Sequence, residues 1–159
     1  MAEKASEKFM RRAIALATRN VLSAAGGPFG AVVVRGGAIV GEGTNMVTAS
    51  SDPTAHAEMN AIRAAASALG TFTLEGCELY ASCEPCPMCL AAAYWARIDK
   101  IYFGCLTQDA ARAGFDDSFV YEQLRAETTR RTLPEEQMLR DEAWASLEAW
   151  IASPSKVPY

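Results

Sequence analysis

The chain contains a single histidine, His56, so no site in it can rest on a pair of imidazoles. It also lacks any uninterrupted apolar run near the roughly eighteen residues that a membrane helix needs, which excludes a spanning segment of that kind. The opening residues, Met1 to Lys8, mix charges and have no apolar stretch behind them of the sort a secretion signal carries. A cytoplasmic protein without a membrane partner is expected. Basic residues are outnumbered, 15 against 19 acidic ones, for a net charge of −4. Nucleic acids are usually held by a face rich in Lys and Arg, so this balance argues against such a partner. No internal repeat, low-complexity tract or linker interrupts the chain. At 159 residues, half of them hydrophobic, it is expected to form one domain over 1–159 with a core of its own.

Five cysteines then need an explanation other than stable disulfides, which a reducing cytoplasm disfavours. Cys77 and Cys105 lie in apolar, strand-like runs and read as buried packing residues. Cys86 and Cys89 have metal-ligand spacing. Cys83, three positions earlier, extends the pattern to C-x-x-C-x-x-C and leaves a choice of ligands. The proline-flanked segment Pro85-Cys86-Pro87-Met88-Cys89 favours the later pair.

Apolar periodicity predicts a helix from about Glu7 to Ala24, ended by Gly26-Gly27-Pro28. Ala31–Val34 and Ala38–Val40, separated by Arg35-Gly36-Gly37, read as a β-hairpin. Asp52-Pro53-Thr54 carries helix-start signals, and an alanine-rich helix is expected from there to Leu69, stopped by Gly70. A buried strand at Cys77–Ala81 follows, then a helix from Pro85/Pro87 to about Ala96, then a strand at Ile101–Cys105. Strands alternating with helices imply an α/β fold: a mostly parallel sheet covered by helices, with an antiparallel hairpin at its first two strands. Beyond Gly114 the pattern is less regular. A last amphipathic helix, about Glu135 to Ala152, places Leu139, Ala143, Leu147, Trp150 and Ile151 on one face, for packing on the sheet or on a second subunit.

The chemistry concentrates in His56-Ala57-Glu58 and Pro85-Cys86-Pro87-Met88-Cys89. Cys86 and Cys89, three apart at a helix start, share a face, and a helix N-terminus favours the thiolate that binds metal. With His56 they make three ligands and leave the fourth tetrahedral position to water, the arrangement of a catalytic rather than a structural zinc. A structural site would need a fourth ligand, which Cys83 or a carboxylate would have to supply. One Zn²⁺ with two thiolates is neutral, and zinc draws the pKa of its water towards neutrality. Glu58, two positions from His56, would not share its face on a regular helix and so need not be a ligand. It can act as the catalytic carboxylate that moves protons between water, ring nitrogen and leaving amine. A lone histidine near a glutamate is ordinarily a surface feature. The two half-motifs in order point instead to the H-x-E … P-C-x-x-C signature of zinc-dependent base deaminases.

The chain resembles the cytidine deaminase superfamily and, within it, the small bacterial guanine deaminases. The resemblance rests on Gly26-Gly27-Pro28-Phe29-Gly30-Ala31-Val32, Asp52-Pro53-Thr54-Ala55-His56-Ala57-Glu58, Cys83-Glu84-Pro85-Cys86-Pro87-Met88-Cys89-Leu90 and Tyr94-Trp95-Ala96-Arg97. It continues through Ala113-Gly114-Phe115-Asp116-Asp117-Ser118-Phe119 to Tyr159. It implies a three-layer α/β/α fold with helices on both faces of a mixed sheet, one zinc per subunit, and hydrolysis of the purine base guanine to xanthine and ammonia. It also implies a homodimer in which the C-terminal segment, about 120–159, is exchanged between subunits. In the implied site Asn45 orients the ring, Asp117 faces its N–H edge, and Tyr159 is the C-terminal contact. Phe29, Ala57, Trp95 and Phe115 complete the substrate-binding set. Three alternatives stay open: deamination of guanosine, deamination of adenosine in tRNA, and a zinc-binding interaction protein without catalysis. Glu58 argues against the last, because metal binding alone would not need it.

Overall fold

The computed structural model describes residues 5–159, which fall into two compact units, 5–118 and 119–159. In the first unit the elements are α1 (Ala5–Leu22), β1 (Gly30–Arg35), β2 (Ala38–Thr44), α2 (Val47–Ser50), α3 (Ala57–Leu69), β3 (Cys77–Cys83), α4 (Pro87–Trp95), β4 (Lys100–Cys105) and α5 (Thr107–Arg112). Next, α6 (Ser118–Arg125) runs into the second unit, which also holds a 3-10 turn at Thr128–Arg130 and α7 (Arg140–Ala152). The N-terminal reading of residues 1–4 lies outside the described residues. No helix among those described is long and apolar enough to cross a membrane.

The sheet has the order β2-β1-β3-β4. β1 is antiparallel to both β2 and β3, and only β3 and β4 pair in parallel. The sheet is therefore mixed rather than mostly parallel. Alternation of strand and helix predicted the direction of the crossover correctly: β2 and β3, joined through α3, point the same way. What it could not predict is adjacency, because β1 lies between them.

Side-chain alternation along β1 builds both cores. Ala31 and Val33 join Ala57, Ala61 and Ala65 of α3 with Cys77, Leu79 and Ala93. Val32 and Val34 join Phe9 and Leu16 of α1 with Tyr80. Helices thus cover both faces and make the three layers. Each fully buried Val or Leu contributes about 1.5–3 kcal/mol by leaving water. Tyr80 adds a 4.6 Å stack on Tyr102 and a hydrogen bond from its hydroxyl to Glu78.

The seam between β2 and α3 is unusually close. A Cβ on Gly43 would sit 2.1 Å from the carbonyl oxygen of Ala57 and 2.5 Å from the nitrogen of Ala61, both backbone atoms. Alanines on the facing turns of α3 keep the gap small. This contact sets the height of the α3 N-terminus against the sheet.

Several sequence expectations shift in detail. α3 begins at Ala57, not at 52–54, because Asp52 spends its carboxylate on a local turn, accepting hydrogen bonds from the Thr54 N–H and hydroxyl at 2.8 and 2.7 Å. Short helices α2, α5 and α6 occupy stretches without a clear sequence signal. α7 starts at Arg140 rather than near Glu135, and its Leu147, Trp150 and Ile151 are exposed. Cys77 is buried as expected, but Cys105 is exposed: β4 is an edge strand, flanked by β3 on one side only.

The seam yields a test. Gly43→Ala is expected to destabilise the fold by about 1–3 kcal/mol, since the clash is with backbone that can yield only by moving α3. A thermal melt should show a Tm several degrees lower. An unchanged Tm would mean that the seam is not rigid.

Candidate metal centre and active site

Two helices begin at the same place. His56 is the N-cap residue of α3 and Cys86 that of α4, both in extended conformation, and neither uses its side chain to cap its helix. N-caps are ordinarily Ser, Thr, Asp or Asn, whose side chains satisfy the first free N–H groups. Here the imidazole and the thiol are left for other work. Pro87 starts α4 with a pre-set φ, and Cys89 follows two positions later in its first turn.

His56 Nδ1 lies 3.5 Å from Cys86 Sγ and 3.5 Å from Cys89 Sγ. Zinc bonds of about 2.0 Å to nitrogen and 2.3 Å to sulfur, meeting at tetrahedral angles, put N and S about 3.5 Å apart. All three donor atoms lie within 4.8 Å of one another, and the donor set is that of zinc. The residues present therefore fit one zinc ion per chain. Cys83 does not join this cluster: its thiol donates to the Leu106 carbonyl at 3.7 Å, and burial pushes its pKa up to about 11. Of the three cysteines of C-x-x-C-x-x-C, Cys86 and Cys89 are the two that cluster with His56.

Electrostatics prepare the same site. Hydrogen bonds from Cys89 and His56 hold the Cys86 thiol down to about 4, against the cost of burial. Cys89 is pushed up, chiefly by its hydrogen bond to Cys86, so the pair retains one proton. The Cys86 thiolate in turn raises His56. The positive ends of α3 and α4 favour negative charge here.

A cavity of about 320 Å³ opens over His56 and Cys86. Glu58, 8% exposed, sits in its wall, and burial pushes its carboxyl up to about 7. Asn45 is also buried, and its Oδ1 accepts the Val47 N–H at 3.3 Å. That bond assigns the amide its orientation and leaves the Nδ2 hydrogens as the free donors. Asp117 is half-buried on the same cavity, and burial is the main reason its carboxyl is raised. Phe29 meets Phe115 edge to face at 4.9 Å between ring centroids, and both line the cavity.

The structure thus brings His56, Glu58, Cys86, Asn45, Asp117, Phe29 and Phe115 onto one cavity, with Cys89 behind it. It does not bring Trp95 there. Trp95 is exposed beside Ala91, Tyr94 and Arg97, because α4 presents its ligand end, not its C-terminal turn, to the site. Ala57 is not in the lining either; it is buried in the core between α3 and the sheet. Tyr159 is exposed in the second unit. The sequence reading missed Val47, Thr48, Pro53 and Glu84, which also line the cavity. Glu84 alone had a signal, its place inside the cysteine motif: its carboxylate accepts the Thr107 N–H at 3.1 Å, tying the ligand loop to α5.

A buried three-donor zinc site at the start of two helices, with a carboxylate beside it, defines the class. The chain belongs to the family described as the cytidine and deoxycytidylate deaminase zinc-binding region, which matches residues 3–105. Guanine deaminase of Bacillus subtilis (strain 168) is 49% identical over 153 residues, 96% of this chain and 98% of that protein. The X-ray structure of Bacillus subtilis guanine deaminase superposes with a TM-score of 0.93 over 96% of this chain and 98% of that one. Guanine deaminase from Nitrosomonas europaea is more distant, 31% identical with a TM-score of 0.66, covering 74% of this chain and 66% of that one. The tRNA-specific adenosine deaminase of Aquifex aeolicus (strain VF5) is 49% identical over only 79 residues, 50% of this chain and 52% of that protein.

Two measurements check the ligand set. Cys86→Ala and Cys89→Ala should each lower bound zinc well below one per chain by elemental analysis, whereas Cys83→Ala should retain it. Zinc binding to the metal-free protein should release protons, because the proton shared by Cys86 and Cys89 must leave; affinity should therefore rise with pH. A pH-indicator titration showing no proton release would rule out ligation by both thiolates.

Proposed function

We propose that the protein hydrolyses guanine at C2, giving xanthine and ammonia. The observation that carries this reading is the near full-length match to a guanine deaminase, which extends beyond the zinc-binding region ending at residue 105 into the segment that holds Asp117. The match to the tRNA deaminase covers half the chain, and the net charge is −4.

A zinc ion held by His56, Cys86 and Cys89 would lower the pKa of a water towards 7. The rest is done by side chains. The Glu58 carboxylate accepts a proton from the water that adds to C2. It delivers that proton to the adjacent ring nitrogen, then takes the proton of the new C2 hydroxyl and passes it to the amino group, which leaves as ammonia as the C2 carbonyl forms. A carboxyl raised towards neutrality by burial suits a group that must both take and give a proton near pH 7. Asp117 accepts hydrogen bonds from the N1–H and amine edge. The Nδ2 of Asn45, freed by the Val47 bond, donates to the ring acceptors, O6 or N7. Phe29 and Phe115 wall the ring. Leaving any of these buried partners unpaired would cost a competing base dearly.

The same reading places the enzyme in the cytoplasm as a single catalytic domain that dimerises with exchange of the segment from about 120 to 159. It makes Tyr159 a substrate contact. Deleting Tyr159 should then impair turnover more than Tm.

Ammonia release by the zinc-loaded protein tests the proposal, with guanine, guanosine, cytosine, cytidine and tRNA compared side by side. Selective conversion of guanine to xanthine is expected. Activity confined to guanosine or tRNA would overturn the free-base reading while leaving the zinc chemistry. Glu58→Gln should keep zinc and lower kcat by about 10²–10⁴-fold. Near-normal turnover would remove Glu58 from the proton transfers.

A further inference from the structure

One buried amide outside the cavity holds its donor wall in place. Asn20 sits in the last turn of α1, 4% exposed, and no atom of it lines the cavity. Its Nδ2 donates two hydrogen bonds, both 2.8 Å long, to the carbonyl oxygens of Gly27 and Asn45. These two carbonyls belong to segments far apart in the chain, and both segments line the cavity. The NH₂ group has two hydrogens, and each is spent on one of them.

The segments it joins are in direct contact. A Cβ on Gly26 would lie 2.3 Å from the Asn45 carbonyl oxygen and 3.0 Å from Asn20 Nδ2, so the 26–27 strap lies flat on the Asn45 backbone. The Gly27 carbonyl also accepts the Phe29 N–H at 2.9 Å, and the Asn45 N–H donates to the Phe29 carbonyl at 3.1 Å. Phe29 in turn abuts Phe115, two residues from Asp117. Asn20 is thus the fixed point of a small network that ends in the donor amide of Asn45 on one side and the aromatic wall on the other.

We propose that Asn20 is a positioning residue for substrate recognition: it acts through the Asn45 backbone to aim the Asn45 side-chain amide at the base. This rests on the assignment of Asn45 to substrate above. Losing Asn20 would take from the buried Asn45 carbonyl its hydrogen bond, leave the Gly27 carbonyl with the Phe29 N–H alone, and let the strap and Asn45 drift apart. Misplacing a substrate-orienting group by about 1 Å can cost on the order of a hundredfold in rate. A zinc centre built on α3 and α4 would be untouched.

A double-mutant cycle on the zinc-loaded protein tests this. Asn20→Ala is expected to raise KM and lower kcat/KM by roughly ten- to a hundredfold, with zinc still at one per chain. In an Asn45→Ala background the same substitution should cost less than about threefold, because its target is already gone. Equal factors in both backgrounds, or an unchanged KM, would overturn the proposal and leave Asn20 as ordinary packing. If Asn20→Ala does not fold, Gly26→Ala approaches the same contact from the other side. It should reproduce the KM effect with Asn20 intact, and normal kinetics there would also overturn the proposal. Wild-type turnover of guanine is the control. Its absence would refute the guanine reading, and the cycle would then be run on whichever substrate the wild type deaminates.

Discussion

Two helix N-termini meet so closely that one imidazole nitrogen lies 3.5 Å from two sulfurs. Three such groups brought together share protons through hydrogen bonds, and a cation bound among them would neutralise the thiolates. Much of the first unit serves that meeting. The glycines of β2 let α3 lie against the sheet, and β3 ends where Cys86 must begin α4. With zinc and two thiolates the centre carries no net charge. A neutral ligand can then be read by hydrogen bonds rather than by bulk electrostatics.

The cavity has a division of labour. The carboxyls of Glu58 and Asp117 offer acceptors, the Asn45 amide offers donors, and the rings of Phe29 and Phe115 line the sides. Each polar group is buried or half-buried, so each depends on being matched. Specificity in such a site comes from the penalty for leaving a partner empty more than from added attraction. That makes backbone placement matter as much as side-chain identity. The amides of Asn20 and Asn60 both bridge chain segments near the cavity, Asn60 donating to the Thr44 and Ala55 carbonyls at 2.9 and 3.3 Å.

Much of the candidate site was legible because its chemistry is carried by rare residue types at short spacing. His56 is the single histidine, and Cys86 and Cys89 fall within one helical turn. Asn45, Phe29, Phe115 and Asp117 were reached only through resemblance; nothing in their local spacing marks them, although the cavity gathers all four. Trp95 and Ala57 lie next to motif residues in the chain but face elsewhere, because a helix turns neighbouring side chains about 100° apart. Asn20 had no sequence signal: its partners lie 7 and 25 positions away.

The sequence by itself determined the main helices and strands and the candidate ligands His56, Cys86 and Cys89 with Glu58 beside them, since helical and strand periodicity and ligand spacing are local properties. Tertiary structure alone decided which strands are neighbours, that β1 separates β2 from β3, that Cys83 lies outside the His56–Cys86–Cys89 cluster, and which aromatics face the cavity. Those facts depend on how distant segments pack across a sheet, and packing is settled by burial and close contact, which no short window of sequence contains.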